Sequence, residues 1–384
     1  MFSEITQLFF AITVTFTIGY YLVPLLIKIA YHKNLFDQPD GKRKVHDRFI
    51  PALGGVSIFV AFFVGFSLSG FAEDMKGYPY LASAAMVLFF TGLKDDLVGL
   101  SAMKKLLIQI VLSLFVIFGC FALIDNFYGM LGINAVPVWI AVPLTVFTMI
   151  VVMNSYNLID GIDGLAAGVG IIASLLFCIG FLVAGEGALA ILALFTAASL
   201  AAFLIHNFRP ASIFMGDSGS LVIGFLLAFL AVRFVGLGAN PAYVEAFGNT
   251  SPVFAVLFLI VPLYDTFRVF IRRLLKKRSP FMPGMDHVHH VFLKYGKSHR
   301  SAALYLYGSM LVIVMVALSM RHFDQHVILA VSLLVSVMIL PTNGSKRTAL
   351  SKVGLELQPI EIIKISKIEA KKREERVLLE EINN

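Results

Sequence analysis

The sequence predicts a polytopic, all-α membrane protein. Hydrophobic residues make up 58% of its 384 residues and charged residues only 14%, where an ordinary globular domain carries roughly 25% charged residues. The apolar residues gather in runs of about twenty, the length that crosses a hydrocarbon core. A soluble protein would have to bury nearly every one of these segments on all faces, which argues against that class.

Run length places about eleven spans. The first, near 5–30, is long enough to cross a membrane and lacks the basic leader of a cleavable signal peptide. The second, near 50–71, follows a basic segment that closes on Pro51, Gly54 and Gly55, which imply a shaped turn. The third, near 79–93, stops short of Lys94, Asp95 and Asp96. Spans four to seven lie near 104–124, 136–156, 164–184 and 187–205, and span eight near 218–236 follows F-M-G-D. Span nine, near 252–271, runs into Arg272, Arg273, Lys276, Lys277 and Arg278. Spans ten and eleven, near 301–320 and 325–340, complete a membrane domain of residues 1–340. Pro24, Pro143 and Pro262 fall inside spans, where neighbouring helices tolerate a kink. Cys120 and Cys178 lie in apolar runs and read as small core residues, without disulfide or metal spacing. Residues 341–384 form a charged tail rich in helix formers, read as a cytosolic appendage.

The net charge of +7 matters less than its placement. Lys and Arg concentrate in the odd-numbered loops, and the even-numbered loops hold little beyond Lys76 and Arg321. The odd loops therefore face the cytoplasm, with the N-terminus outside and the C-terminus inside. Basic residues confined to short loops argue against a nucleic-acid partner. The inner loops also collect Asp95, Asp96, Asp160, Asp163, Asp217 and Asp265, with His287, His289 and His290. The outer acids show no such grouping with amides, glycines or histidines. Ionisable groups near lipid usually mark a site, so the inner face is expected to handle a metal and a phosphate.

Four segments carry this expectation. Asp95 and Asp96 repel as neighbours, so the pair suits a divalent cation or a base; the plainer reading is a solvated loop end countered by Lys94, Lys104 and Lys105. The run N-S-Y-N-L-I-D-G-I-D-G-L places Asn154 with Asn157, and Asp160 with Asp163, on shared helical faces. Amides and carboxylates together suit Mg²⁺ and nucleobase hydrogen bonds, while capping alone explains one such residue and not four. In F-M-G-D-S-G-S-L, Asp217 is a hard-metal ligand at a helix start that offers amides to a phosphate, or simply an N-cap. In D-H-V-H-H, His287, His289 and His290 stand among basic residues without supporting Cys, which favours diphosphate or sugar over zinc. A fifth segment, around Lys44 and His46, suits anionic headgroups or simply follows the positive-inside rule, and its turn at Pro51, Gly54 and Gly55 goes beyond what that rule needs.

Taken together and in this order, these motifs resemble the polyprenyl-phosphate N-acetylhexosamine-1-phosphate transferases, from about Phe36 to about Leu340. Each motif alone is weak, and their co-occurrence is specific. The resemblance implies attack by undecaprenyl phosphate on the β-phosphorus of a UDP-N-acetylhexosamine, releasing UMP, with Mg²⁺ (or Mn²⁺ in its place) on the diphosphate. It implies Asp217 and Asn157 at the metal, and Asp95 as base or lipid-phosphate partner with Asp96 beside it. It further implies Lys105 on phosphate, Asp163 on uracil and His287, His289 and His290 on diphosphate and sugar. Lys44 and His46 are assigned to lipid phosphate; Asn154 and Asp160 count as substrate-binding without distinct roles. The separated histidines favour the N-acetylglucosamine branch over the phospho-N-acetylmuramoyl-pentapeptide transferases. The implied setting is the bacterial inner membrane, with the site on the cytoplasmic face and a cell-envelope polysaccharide downstream. The implied partners are both substrates and membrane lipid, and a homodimer is compatible. A CDP-alcohol phosphotransferase fails because Gly168 stands where its motif needs Arg. An ion-coupled transporter would place its acids near the midplane in paired halves.

Overall fold

A computed structural model describes residues 4–33, 50–208, 210–277, 279, 287–288, 291–292, 296 and 298–341. The expected charged tail lies, beyond Pro341, outside the described residues. The described chain is helical: α1 (Glu4–Lys33), α2 (Gly54–Leu68), α3 (Phe71–Asp74), α4 (Tyr78–Val98), α5 (Ala102–Cys120), α6 (Val138–Ile159) and α7 (Leu165–Val183). It continues as α8 (Gly187–Asn207), α9 (Gly216–Val235), α10 (Pro241–Phe247), α11 (Ser251–Leu257), α12 (Ile260–Leu275), α13 (His299–Ser319) and α14 (Gln325–Ile339). Among the described residues the one extended pairing is an isolated bridge between Asn126 and Ala135.

Seven of these helices are long and apolar enough to cross a membrane, and α2 and α14 are shorter apolar helices. The all-α, polytopic membrane class is what the apolar runs require. Large side chains such as Phe9, Phe118, Trp139, Phe147 and Met315 are exposed on the outside of the bundle, as lipid-facing positions should be. At the centre stands α9, in which every residue from Ser218 to Val232 is buried. Helices α2, α4, α6 and α7 surround it.

Two elements differ from the sequence expectation. Helix α4 does not stop before the carboxylates; it carries Asp95 and Asp96 on its last turns and ends at Gly99, whose φ of +83° suits glycine. Span nine is broken: α11 and α12 meet at 76° across Phe258 and Leu259. Pro262 explains the position. It has no N–H to offer the Phe258 carbonyl four residues back, and its ring would clash there.

The start of α9 is fixed by close backbone approach. Phe214 N–H donates to Pro51 O at 2.9 Å, Gly54 N–H to Phe214 O at 2.9 Å and Gly55 N–H to Met215 O at 2.8 Å. The turn implied by Pro51, Gly54 and Gly55 is thus the dock for F-M-G-D. A Cβ at Gly55 would lie 2.2 Å from Gly219 N, and one at Gly92 would lie 2.4 Å from Asp217 O. Gly216 combines a φ of +72° with a Cβ position only 2.6 Å from Ala52 O. Gly216→Ala is therefore expected to cost at least about 1–2 kcal/mol from backbone strain alone, seen as a lower melting temperature of the purified protein in detergent.

Candidate active site

The site forms where the end of α4, the start of α5, the end of α6 and the start of α9 meet. Asp95 and Asp96 are adjacent on α4, and helical rotation sends them to different partners. Asp95 accepts from the Leu100 N–H, which ties it to the turn into α5, and pairs with the Lys105 ammonium. The same ammonium reaches Asp217 Oδ2 at 2.5 Å. Asp96 turns to α9: its Oδ1 accepts from Asp217 N–H at 2.7 Å and its Oδ2 from Ser218 N–H at 3.0 Å. A carboxylate from one helix thereby caps another, satisfying two of the orphan amides at the α9 start.

Asn157, near the end of α6, donates from Nδ2 to Asp217 Oδ1 at 2.9 Å and to Ser220 Oγ at 2.7 Å. An amide that donates through nitrogen keeps its carbonyl oxygen as an acceptor or ligand. One turn deeper, Asn154 donates to Gln109 Oε1 at 2.9 Å and to Ile150 O at 2.8 Å, so it joins α6 to α5 beneath the cluster. Asp160 follows the last turn of α6. Burial pushes its carboxyl up to about 7, and the charges of Asp217 and Asp96 push the same way.

The second carboxylate of the D-G-I-D-G run is placed differently. Asp163 is buried, accepts from Ala211 N–H at 3.1 Å and lies 3.1 Å from His299 Nδ1. Its neighbours are pinned too. Gly164 N–H donates to Asn207 Oδ1 at 2.9 Å, and Tyr307 Oη donates to Gly164 O at 2.5 Å. The structure therefore brings together Asp95, Asp96, Lys105, Asn157 and Asp217, with Asp160 in electrostatic reach, and sets Asp163 against the α8–α9 loop and the start of α13. His299, which sequence reasoning did not single out, is the partner of Asp163.

His287 belongs to another cluster. Its Nδ1 lies 2.9 Å from Asp265 Oδ2, while Asp265 Oδ1 accepts from Val288 N–H at 2.8 Å and from Arg268 at 3.0 Å. Sequence reasoning counted Asp265 among the inner acids but gave it no part in the site. The i, i+3 spacing to Arg268 was a signal for one of these bonds. Lys44, His46, His289 and His290 lie outside the described residues.

Asp95 and Asp217 share one ammonium, with Asp96 and Asp160 close by, which leaves a negative excess built of hard oxygen donors, suited to a small divalent cation. Among the described residues, no three His, Cys, Asp or Glu side chains form a ready-made cage. Mg²⁺ does not need one, since it commonly takes one or two carboxylates, waters and substrate phosphates. Asp217, Asp95 and the Asn157 carbonyl fit such an ion.

Known proteins resemble this chain over most of its length. A family model described as glycosyl transferase family 4 matches residues 78–235, from α4 to the end of α9. A probable undecaprenyl-phosphate N-acetylglucosaminyl 1-phosphate transferase of Bacillus subtilis is 34% identical, covering 74% of this chain and 77% of the relative. A decaprenyl-phosphate N-acetylglucosaminephosphotransferase of Mycolicibacterium smegmatis is 31% identical over 78% of this chain and 79% of the relative. An undecaprenyl-phosphate alpha-N-acetylglucosaminyl 1-phosphate transferase of Escherichia coli O157:H7 is 28% identical over 81% and 84%.

The Asp160 carboxyl yields a pH test. Its folded pKa of about 7 stands above the model-peptide value of 3.8, so the native state holds an extra proton between these values. Its contribution to stability is full below about pH 4 and is lost as pH rises through about 7. Asp160→Asn should match the wild type in melting temperature near pH 4 and exceed it at pH 8, measured without divalent cations.

Proposed function

This chain belongs to glycosyl transferase family 4, and from that premise we propose that it transfers N-acetylglucosamine 1-phosphate from its UDP-sugar to undecaprenyl phosphate. A phosphate oxygen of the lipid bonds to the β-phosphorus of the donor, the bond from that phosphorus to the bridging oxygen breaks, and UMP leaves. The observation that carries the reading is the Asp95–Lys105–Asp217–Asn157 constellation at one end of an apolar helix bundle. It is a charged site at the membrane edge, where a lipid phosphate and a soluble nucleotide can meet. The relatives are named for N-acetylglucosamine 1-phosphate transfer, which favours this donor over a muramoyl pentapeptide and over ion transport.

Each residue then has a task. Lys105 offers its ammonium to transferring phosphate oxygens, releasing one of its carboxylates as it does so. Asp95 takes the acceptor phosphate's proton or orders Lys105 against it. Asp96 acts through the α9 cap, holding Asp217 in place. Asp217, Asp95 and Asn157 are assigned to Mg²⁺, or Mn²⁺, which supplies charge neutralisation on the diphosphate. Asp163 shapes the wall for the uridine end through Ala211 and His299. Asp265 orients His287 toward the donor. The positive-inside distribution supports a site on the cytoplasmic face of the bacterial inner membrane.

Purified protein with Mg²⁺, undecaprenyl phosphate and UDP-N-acetylglucosamine should release UMP, and EDTA should stop it. Asp217→Ala and Asp95→Asn should each lower the rate by about 100-fold or more while the protein remains folded. Full release by Asp217→Ala would overturn the metal assignment, and no release by the wild type would overturn the reaction.

A further inference from the structure

The helices that carry Lys105 and Asn157 are joined again one turn deeper. On α5, Gln109 follows Lys105 by four residues; on α6, Asn154 precedes Asn157 by three, so each pair shares a helix face. At the site the two helices meet through Asp217, which accepts from Lys105 Nζ at 2.5 Å and from Asn157 Nδ2 at 2.9 Å. Below it they meet directly, with Asn154 Nδ2 donating to Gln109 Oε1 at 2.9 Å. Among the described residues this is the one hydrogen bond that runs from α5 to α6 without a third element between.

The orientation of both amides follows from one carbonyl. Ile150 O can only accept, so the Asn154 atom 2.8 Å from it is the nitrogen. The same nitrogen faces Gln109, which must therefore present its oxygen. Gln109 Nε2 is left buried without an acceptor, on a residue only 2% exposed. An unmet buried donor costs stability, and an apolar pair of the same shape would fill the space without that cost. Packing alone therefore does not account for two amides here. Resting on the transfer proposed above, Lys105 gives up a carboxylate when it meets phosphate, and the link through Asp217 opens during the reaction. We infer that the Gln109–Asn154 bond is a positioning strut, holding α5 against α6 while Lys105 changes partners. The ammonium, Asp217 and Asn157 then keep their spacing around the reacting phosphates. Asn154, grouped by sequence with the substrate-binding residues, acts through its neighbours and touches no substrate.

Gln109→Met and Asn154→Leu remove the bond with little change in shape. Each should lower kcat by about 10- to 100-fold, as small misplacements of reacting groups do, with little change in the KM for the UDP-sugar. The double variant should be no slower than either single one, because all three lose the same bond, and its melting temperature should match or exceed that of the wild type. An unchanged kcat, or a raised KM at unchanged kcat, would overturn the inference, the latter by making Asn154 a substrate contact. A fall in the double variant's melting temperature alongside its rate would reduce the pair to a structural one and overturn it too. A second measurement needs no turnover. Spin labels at Leu107→Cys and Leu158→Cys, both exposed positions, report the distance between α5 and α6 in nanodiscs, while the two native cysteines are buried. Lys105→Ala stands for the ammonium that has left its carboxylates. The distance distribution should match the wild type in Lys105→Ala and broaden when Gln109→Met is added. A distribution already broad in Lys105→Ala, or unbroadened in the combined variant, would overturn the strut. If the wild type releases no UMP, the transfer itself fails, and the distance measurement still reads the strut by itself.

Discussion

A helix that starts inside a protein leaves its first amide groups without helical partners, and near lipid there is little water to replace them. Helix α9 starts in this situation, wedged between α2 and α4 and buried along its length. Asp96 answers the need with both carboxylate oxygens. The glycines follow from the same contact, since Gly55, Gly92 and Gly216 sit where any Cβ would strike backbone. Once α9 is seated, Asp217 on its first turn has one position, and Asn157 and Lys105 meet it there. The geometry of the charged cluster thus depends on how one buried helix end is satisfied.

That arrangement concentrates negative charge at the edge of a low-dielectric bundle. Asp95 and Asp217 share a single ammonium with Asp96 and Asp160 nearby, and burial, helped by the charges of Asp217 and Asp96, pushes the Asp160 carboxyl up to about 7. Such a site is costly empty and gains on binding a cation, a general way to store affinity for a metal–diphosphate pair.

Much of this was legible in the sequence. Apolar run length placed α5 to α9 within a few residues, because segment hydropathy is a property of the chain alone. Loop parity grouped the acids. The pairing of Asp217 with Asn157 and Lys105 was expected only by resemblance, since those residues lie 60 and 112 positions apart. Other features were not legible. Two adjacent carboxylates on a helix point about 100° apart, so the D-D pair splits between Lys105 and the α9 cap. Hydropathy cannot register a break such as that at Phe258, although Pro262 marked this span as one that could kink, without giving the angle. Nor does a sequence show that Asp163 will be spent on Ala211 and His299, because those partners come from other helices.

Partner type separates the carboxylates by what they can do. Asp96 has both oxygens on backbone amides, and Asp163 and Asp265 each hold one amide and a histidine. To give up such bonds, the backbone must move. Asp217 is held only by side chains, and Asp95 keeps one oxygen on the Leu100 amide and the other on a lysine ammonium. Lysine is a flexible point charge that can leave without disturbing the fold. The first group is therefore structural in its physics even where it borders the site, and the second is exchangeable. On the proposed reading, a cation or phosphate arriving at the cluster would displace Lys105 from Asp95 and Asp217 rather than unseat α9, so ligand binding and helix capping draw on different carboxylates.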